Sequence, residues 1–347
     1  MRLLSNCKFD HYVLVITGFK YTNDSSGTSK VVKAQEEIII KNSIDYIAIN
    51  PIKIKNIQTD CYETIVNGIS EGVYTTSELI EIFKKMYESK KKIVGIIIHH
   101  LLNNSTQNVK EILEFFVKVP TIIYIHDFYT CCQCVNLLKN DKYFCAENGC
   151  DCKGCKYSIK QKEHVNNMKN LFKLKKDNLF FIAPSEFAKN TWLKFYQEYE
   201  KNIYVYPHLI PKGLYQGNKK IIDISDIIKV AYVGAQDIRK GWDKYKQIAR
   251  SIQNNKYRYY YFGRDKEKVN NITNIDVRIH LQGKNAMIDA LRNKEIDIVI
   301  MPTICPETYS YTLYESLAAN CFIITTKCSG NIASVMEKEK KELCFKI

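Results

Sequence analysis

The residues with the most chemical content lie near the C-terminus. There Met301-Pro302-Thr303-Ile304-Cys305-Pro306-Glu307-Thr308-Tyr309-Ser310-Tyr311-Thr312-Leu313-Tyr314-Glu315 runs from an apolar segment through a proline-bounded loop into a helical pattern. Glu307 falls in the loop at the carboxyl end of the expected strand, where open α/β sheets bind ligands, and Glu315 falls about two turns along the helix. Two carboxylates so placed can accept hydrogen bonds from separate hydroxyl-bearing parts of one ligand, with Thr308, Tyr309 and Ser310 between them. Taken singly, they read equally as a surface acid and a helix acid. A second constellation, Tyr232-Val233-Gly234-Ala235-Gln236-Asp237-Ile238-Arg239-Lys240-Gly241, sets a glycine loop after a buried strand and two cations where a helix starts. Lysine there acts as a point charge on phosphate and arginine adds a forked contact. A solvated turn is the alternative, and the buried strand ahead of the loop favours phosphate. A third, Thr17-Gly18 followed by Ser26-Gly27-Thr28, has strand, Gly/Ser loop and helix start, the geometry that presents backbone N–H groups to an anion. It lacks the full dinucleotide fingerprint, and a simple chain turn explains it as well.

These groups need strands to end beside one another. Short β-branched and aromatic runs recur with helix-length spacers, as parallel strands with crossover helices require. In the first half they are His11–Thr17, Asp45–Asn50, Ile93–Ile98, Thr121–His126, Leu179–Ala183 and Ile203–Tyr206. A second series restarts with Val230–Val233, Tyr257–Phe262, Val277–Leu281, Ile296–Met301 and Phe322–Thr325. The restart predicts an α/β chain of two doubly wound, Rossmann-like domains: residues 1–212 with a Cys-rich insertion at about 131–155, a linker at 213–227, and residues 228–347. A length of 347 residues agrees with two domains.

No segment approaches the ~20 apolar residues of a membrane span, and the first residues lack a signal-peptide core, so a cytoplasmic location is expected. The formal net charge of +14 favours phosphate-bearing or anionic-surface partners. A basic nucleic-acid-binding module is one class it admits, but the lysines are dispersed and no nucleic-acid motif accompanies them, so no nucleic acid is expected as partner. Lys156, Lys160, Lys162, Lys169, Lys173, Lys175 and Lys176 accompany Ile159, Val165, Met168, Leu171 and Phe172 on one expected helix. Such a helix either lies on an anionic membrane face, bringing the chain to the inner surface of the cytoplasmic membrane, or packs its apolar stripe on its own domain. Of 13 cysteines, seven fall between Cys131 and Cys155. Cys152 and Cys155 form a Cys-x2-Cys knuckle that Cys132 and Cys145 complete to four thiolates, the set a structural zinc prefers. Unligated thiols are the alternative, and disulfides rank third.

The segment from Glu307 to Glu315 resembles the Glu-x7-Glu motif of the group 1 retaining glycosyltransferases, which have GT-B architecture, two Rossmann-like domains facing across a cleft. The resemblance implies that Glu307 approaches the donor sugar, that Glu315 holds the ribose hydroxyls of the nucleotide, and that Gly234 and Lys240-Gly241 hold the donor diphosphate. Many members carry arginine directly after the Val-Gly pair; here Ala235 stands there, and Arg239 is the nearby substitute. Ile125-His126-Asp127 resembles the family's strand-end histidine motif, which implies a catalytic His126, and Ala183-Pro184-Ser185 and Tyr206-Pro207-His208 resemble later strand ends. The cysteine stretch is similar to that of some bacterial polysaccharide-assembly members. The implied activity is transfer of a sugar from a nucleotide diphosphate sugar to a glycan or lipid-linked acceptor, with retention and with no cofactor required for catalysis. A sugar-nucleotide epimerase or hydrolase of the same architecture is the alternative. Resembling proteins usually continue further past Gly330, so a short member with weak or partner-dependent activity is a further expectation.

Overall fold

The computed structural model describes residues 7–23, 26–54, 57–146, 152–208, 222, 226–264 and 267–338. Most of the expected linker at 213–227, Cys150 and the last nine residues lie outside the described residues. The chain divides into two compact units. The first is Met1–Val135, Lys156–Pro184 and Lys189–Tyr206; the second is Asn136–Cys155, Ser185–Ala188 and Pro207–Ile347. The Cys-rich stretch expected as an insertion in the first domain is thus shared between the two.

In chain order the strands are β1 (His11–Ile16), β2 (Ile44–Ile54), β3 (Ile57–Val66), β4 (Ile69–Thr75), β5 (Lys92–Ile98), β6 (Thr121–Tyr124), β7 (Leu138–Lys139), β8 (Tyr143–Phe144), β9 (Leu179–Ala183) and β10 (Ile203–Val205). They continue with β11 (Ile228–Val233), β12 (Tyr257–Gly263), β13 (Ile272–Asp276), β14 (Ile298–Met301) and β15 (Phe322–Thr325). The α-helices are α1 (Gly27–Lys41), α2 (Thr76–Glu88), α3 (Thr106–Phe115), α4 (Ser158–Lys173), α5 (Glu186–Leu193), α6 (Trp242–Ser251), α7 (Ile279–Gln282), α8 (Ala286–Asn293), α9 (Tyr311–Ala318) and α10 (Asn331–Lys338). None is long and apolar enough to cross a membrane.

The first unit holds an eight-stranded sheet in the order β10-β9-β6-β5-β1-β2-β3-β4. All neighbours are parallel except β2 with β3 and β3 with β4. That antiparallel hairpin was not expected from the sequence, because Gln58, Thr59, Asp60 and Glu63 break any apolar run. The signal was in the turn: Asn67 and Gly68 both take positive φ, 50° and 81°, as a two-residue hairpin with an Asn-Gly turn requires. The chain order reverses between β1 and β5, so the loops after these two strands and after β6 stand side by side at their carboxyl ends. One core cluster joins Val13, Val15, Tyr46, Ala48 and Ile97 of the strands to Val32 of α1. Trp192, fully buried, packs on Phe181 and Tyr196.

The second unit holds a five-stranded parallel sheet, order β13-β12-β11-β14-β15, with its reversal between β11 and β14. Successive residues of β11 enter opposite cores: Val230 and Tyr232 one, Ala231 and Val233 the other. Burial of both faces explains why these strands read as unbroken apolar runs. One face, covered by α6, is aromatic, with Tyr232, Tyr259 and Tyr261 against Trp242 and Tyr245. The buried hydroxyls are all spent on backbone carbonyls: Tyr245 on Val230 and Tyr260, Tyr259 on Ile252, Tyr261 on Arg264 and Tyr232 on Ala235. Each such bond contributes roughly 1 kcal/mol, and the tyrosines staple loops to the sheet that carries them.

One strand differs from expectation. Val277–Leu281 is not a strand; the ladder to β12 runs over Ile272–Asp276 and ends where Gly263 meets Asp276. Arg278 then donates its N–H to the Gln282 side chain at the start of a helical turn.

Candidate functional site

At the reversal of the second sheet, the loop after β11 meets the loop after β14. Gly234 opens the first loop with φ 109°, and a Cβ there would sit 3.4 Å from the Thr312 side chain of α9. Tyr232 Oη donates to the Ala235 carbonyl at 2.8 Å and holds the loop down. Gly241, with φ 84°, lies so close to β14 that a Cβ would stand 2.1 Å from the Pro302 carbonyl oxygen; no other residue type fits there without moving the strand end. The two loops are sewn together through the Arg239 carbonyl, which accepts from Ile304 N at 3.0 Å, Cys305 N at 3.2 Å and Thr303 Oγ1 at 2.9 Å.

This stitching brings Lys240 to Glu307, Nζ to Oε1, at 3.2 Å. The Glu307 carboxylate holds the Lys240 ammonium above the usual lysine range. Glu307 itself is fixed through its backbone, which bonds to Ser329 O at 3.3 Å and to Asn331 N at 2.8 Å. The Arg239 guanidinium lies elsewhere, forked onto Asp237 at 2.7 and 3.1 Å, a pairing that keeps the Asp237 carboxyl below its usual range. Of the two cations, Lys240 alone faces the Glu307 carboxylate among the described ion pairs.

Ser310 acts as the N-cap of α9, its Oγ accepting from Leu313 N at 3.3 Å, and its own N–H donates to the Asn331 side chain at 3.2 Å. The Thr308 carbonyl accepts from Ser185 Oγ at 2.8 Å. Tyr309 is buried and stacks on Tyr314, with the His208 ring 5.4 Å away. Burial pushes His208 down to about 4, so it is neutral at pH 7. Glu315 lies in the second turn of α9, 7% exposed, and together with burial its charge keeps the Tyr311 phenol well above the ordinary range. The Cys305 thiol between these loops is pushed up to about 11 by burial and is no nucleophile at neutral pH.

In the first unit the strand ends carry rings. His126, after β6, has its Nε2 2.9 Å from His99 Nδ1, at the end of β5. The His99 and His126 rings lie edge to edge, centroids 5.2 Å apart, and the Tyr124 ring is near-parallel to both. His100 bonds Asp127 Oδ2 through Nε2 at 2.5 Å and accepts Leu102 N–H through Nδ1 at 3.0 Å. Asp127 Oδ1 accepts Tyr129 N–H, so this His-Asp pair is closed on itself and builds the loop. A small pocket borders the cluster, lined by His99, His100, Tyr124, Asp127, Tyr129 and neighbouring aliphatics. The loop beyond is anchored from several sides: His164 Nε2 donates to Tyr129 O at 2.6 Å, Gln161 to Cys131 O at 2.6 Å, Trp192 to Thr130 Oγ1 at 2.9 Å, and Tyr196 to Thr130 O. His99 and His100 were missed from sequence, although a His-His pair directly after an apolar run was the available signal.

The remaining expected sites are placed as follows. A Cβ on Gly18 would stand 2.4 Å from the Leu102 carbonyl, so the glycine permits the close approach of the β1 and β5 loops. Ser26 caps α1, accepting Ser29 N–H at 3.2 Å, and Gly27 and Thr28 form the first turn. Among the described residues, no three His, Cys, Asp or Glu stand together as a metal site. Cys145 Sγ bonds Leu137 O at 3.1 Å, and Cys132 Sγ accepts Cys134 N–H at 3.3 Å. On α4, Met168, Leu171 and Phe172 pack inward, while Ile159 is 92% exposed. Lys175 is not on the surface: it is 2% exposed and donates to the Phe116 and Val117 carbonyls.

No family profile and no curated protein matches the chain. Solved structures do. It matches HepE of Anabaena, solved in complex with UDP, over 95% of this chain and 90% of that one, at 10% identity and a TM-score of 0.51. WaaG, a glycosyltransferase involved in lipopolysaccharide biosynthesis, matches over 95% of this chain and 84% of its own, at 11% identity and 0.52. The lipopolysaccharide outer core galactosyltransferase WaaB, in its apo form, matches over 91% and 81%, at 9% identity and 0.52. At such identities the likeness is one of fold, and the fold of this chain is the two-sheet α/β fold of the GT-B glycosyltransferases.

Proposed function

We propose that the protein is a glycosyltransferase that binds a nucleotide diphosphate sugar on its second unit and transfers the sugar, with retention, to a glycan or lipid-linked acceptor in cell-surface polysaccharide assembly. The observation that carries this reading is the Lys240–Glu307 pair at 3.2 Å, built at the one place in the second sheet where the strand order reverses. Around it stand the Gly234 loop and the start of α9, two sources of backbone N–H groups for phosphate oxygens. The fold shared with a UDP-bound structure and with lipopolysaccharide glycosyltransferases supports the same donor class.

In this reading a donor diphosphate competes with Glu307 for the Lys240 ammonium and frees the Glu307 carboxylate for sugar hydroxyls, while Glu315 takes the ribose. As the sugar leaves, negative charge grows on the diphosphate, and Lys240 with the fixed N–H dipoles stabilises the transition state more than the ground state. Arg239, half exposed and forked onto Asp237, is the second cation of the loop for the diphosphate. His126 acts at the reacting sugar, and the sugar becomes oxocarbenium-like as in other glycosyl transfer. An acceptor separates this reading from an epimerase or hydrolase: product forms only in its presence. A structural zinc on Cys132, Cys145, Cys152 and Cys155 is a separate proposal, although the described thiols do not stand together as a metal site: elemental analysis of the purified chain should find one zinc per chain, and finding none would overturn it.

The deciding experiment is calorimetry of UDP, GDP, ADP, CMP and their sugar conjugates against the intact chain and Glu315→Ala. Selective binding of one nucleotide diphosphate, lost in the variant, is expected. No binding to the intact chain at millimolar ligand sinks the donor-site reading.

A further inference from the structure

The ring cluster of the first unit contains a residue whose chemistry the site has not yet used, Gln35 of α1. Its side chain joins three elements. Gln35 Nε2 donates to Tyr124 Oη at 3.0 Å, and Gln35 Oε1 lies 3.2 Å from Tyr46 Oη and 2.9 Å from His99 Nε2. A carboxamide oxygen only accepts, so both the Tyr46 hydroxyl and His99 Nε2 must donate to it. Carrying one proton, on Nε2, His99 has a lone pair on Nδ1. That nitrogen faces His126 Nε2 at 2.9 Å and can only accept from it. The proton of His126 is thereby assigned to Nε2, and its Nδ1 is left as the basic nitrogen.

We infer that Gln35 and His99 form a relay that fixes the tautomer of His126. The two are positioning residues that act through His126: His99 is buried, at 1% exposure, and Gln35 is partly buried. The order of the chain explains why the relay is rigid. His99 ends β5, His126 follows β6, Tyr46 belongs to β2, and Gln35 rides on α1, whose Val32 is locked into the same core as Tyr46. His99 and His126 lie edge to edge in nearly one plane, and the Tyr124 ring runs near-parallel to both at 23° and 11°, which hinders the imidazoles from turning to exchange their nitrogens. A second residue of the same loop shows the contrasting arrangement: His100 has its Nδ1 capped by Leu102 N–H and its Nε2 spent on Asp127, and it orients no further group.

The inference uses the glycosyltransferase reading only where it calls His126 the acting group, so the primary readout is independent of activity. The full chain is labelled with 15N-histidine, and long-range 1H–15N correlation reads which ring nitrogen of His126 carries the proton, the signals being assigned by their loss in His126→Gln. The expected wild-type pattern is a proton on Nε2. In Gln35→Leu, and in His99→Phe, which keeps a stacking ring but no acceptor, the pattern should collapse to an average of the two tautomers. Tyr46→Phe removes a bond to the same Gln35 oxygen without touching the relay, and should lower stability while the His126 pattern stays. Where sugar transfer is measured, Gln35→Leu should lower kcat by roughly tenfold to hundredfold with the donor KM unchanged, as for other orienting partners of a histidine. A wild-type proton on Nδ1, a pattern unmoved by both Gln35→Leu and His99→Phe, or a pattern shifted equally by Tyr46→Phe would each overturn the relay. Loss of nucleotide binding in the calorimetric panel would remove the transfer reading and leave the tautomer assignment standing.

Discussion

The two strand-end clusters of this chain solve opposite problems. The first unit gathers rings, His99, His126 and Tyr124, and joins them by a carboxamide and by near-parallel packing. The second gathers charge, Lys240 against Glu307 and Arg239 against Asp237, on loops held by glycines and by a tyrosine hydroxyl. Neutral groups tolerate deep burial and keep a fixed direction; charged groups stay near solvent and wait for a ligand that brings charge of its own. The Lys240 side chain is 46% exposed, which suits a cation that must trade one anion for another.

The largest expected break of this comparison is Gly241→Ala. The new Cβ meets the Pro302 carbonyl at 2.1 Å in a backbone region side chains avoid, so the second unit should lose about 3–5 kcal/mol in urea unfolding while the first keeps its own transition. Acid should separate the units next. Unfolded, the His208 imidazole protonates near pH ~6.5; folded, it does so only at about 4. Between those values the unfolded chain binds the extra proton, so stability is full above that window and falls as the pH drops through it, by on the order of 2 kcal/mol. His208→Phe should flatten that slope; an unchanged slope would assign it elsewhere, for example to His164, whose buried imidazole is also held below its usual range.

Lys240→Ala should weaken nucleotide diphosphate binding by about tenfold to a hundredfold and reduce its dependence on salt, with a smaller change in stability because the lysine end of the pair is half exposed. Equal salt dependence in both forms would mean that the diphosphate rests on other groups. The smallest effect is expected for Tyr232→Phe. Losing the bond to Ala235 should cost about 1 kcal/mol and loosen the Gly234 loop, seen as a modest rise in the nucleotide Kd.

How much of this could be read beforehand follows from which interactions are local. Strands buried on both faces announced themselves, and so did the loop from Glu307 to Glu315, whose cap Ser310 and buried Leu313 follow from neighbouring residues. Lys240 and Glu307 were each assigned to the donor by resemblance, but their pairing rests on the order of β11 and β14 in the sheet, a long-range fact. Gln35, on a helix far from His126 in sequence, carried no local mark at all. Arg239 was expected to contact phosphate; here its guanidinium is forked onto Asp237, two residues earlier, a pairing of the same kind as that of Lys240 with Glu307. The polar β3–β4 hairpin escaped because one-sided sheets need no apolar run, and Val277–Leu281 misled because an apolar stretch says nothing about where its partner strand stops.

Each unit contains one of the two tryptophans of the chain, both buried. Trp242 is the first residue of α6, directly after Gly241, and its indole donates to Glu267 at 2.9 Å. Trp192 donates to Thr130 in the loop that follows His126 and Asp127. The molecule therefore carries a built-in fluorophore beside each cluster. Chains with a single Trp→Phe change would emit from one unit at a time, reporting without any attached dye which half a nucleotide quenches and which half melts first.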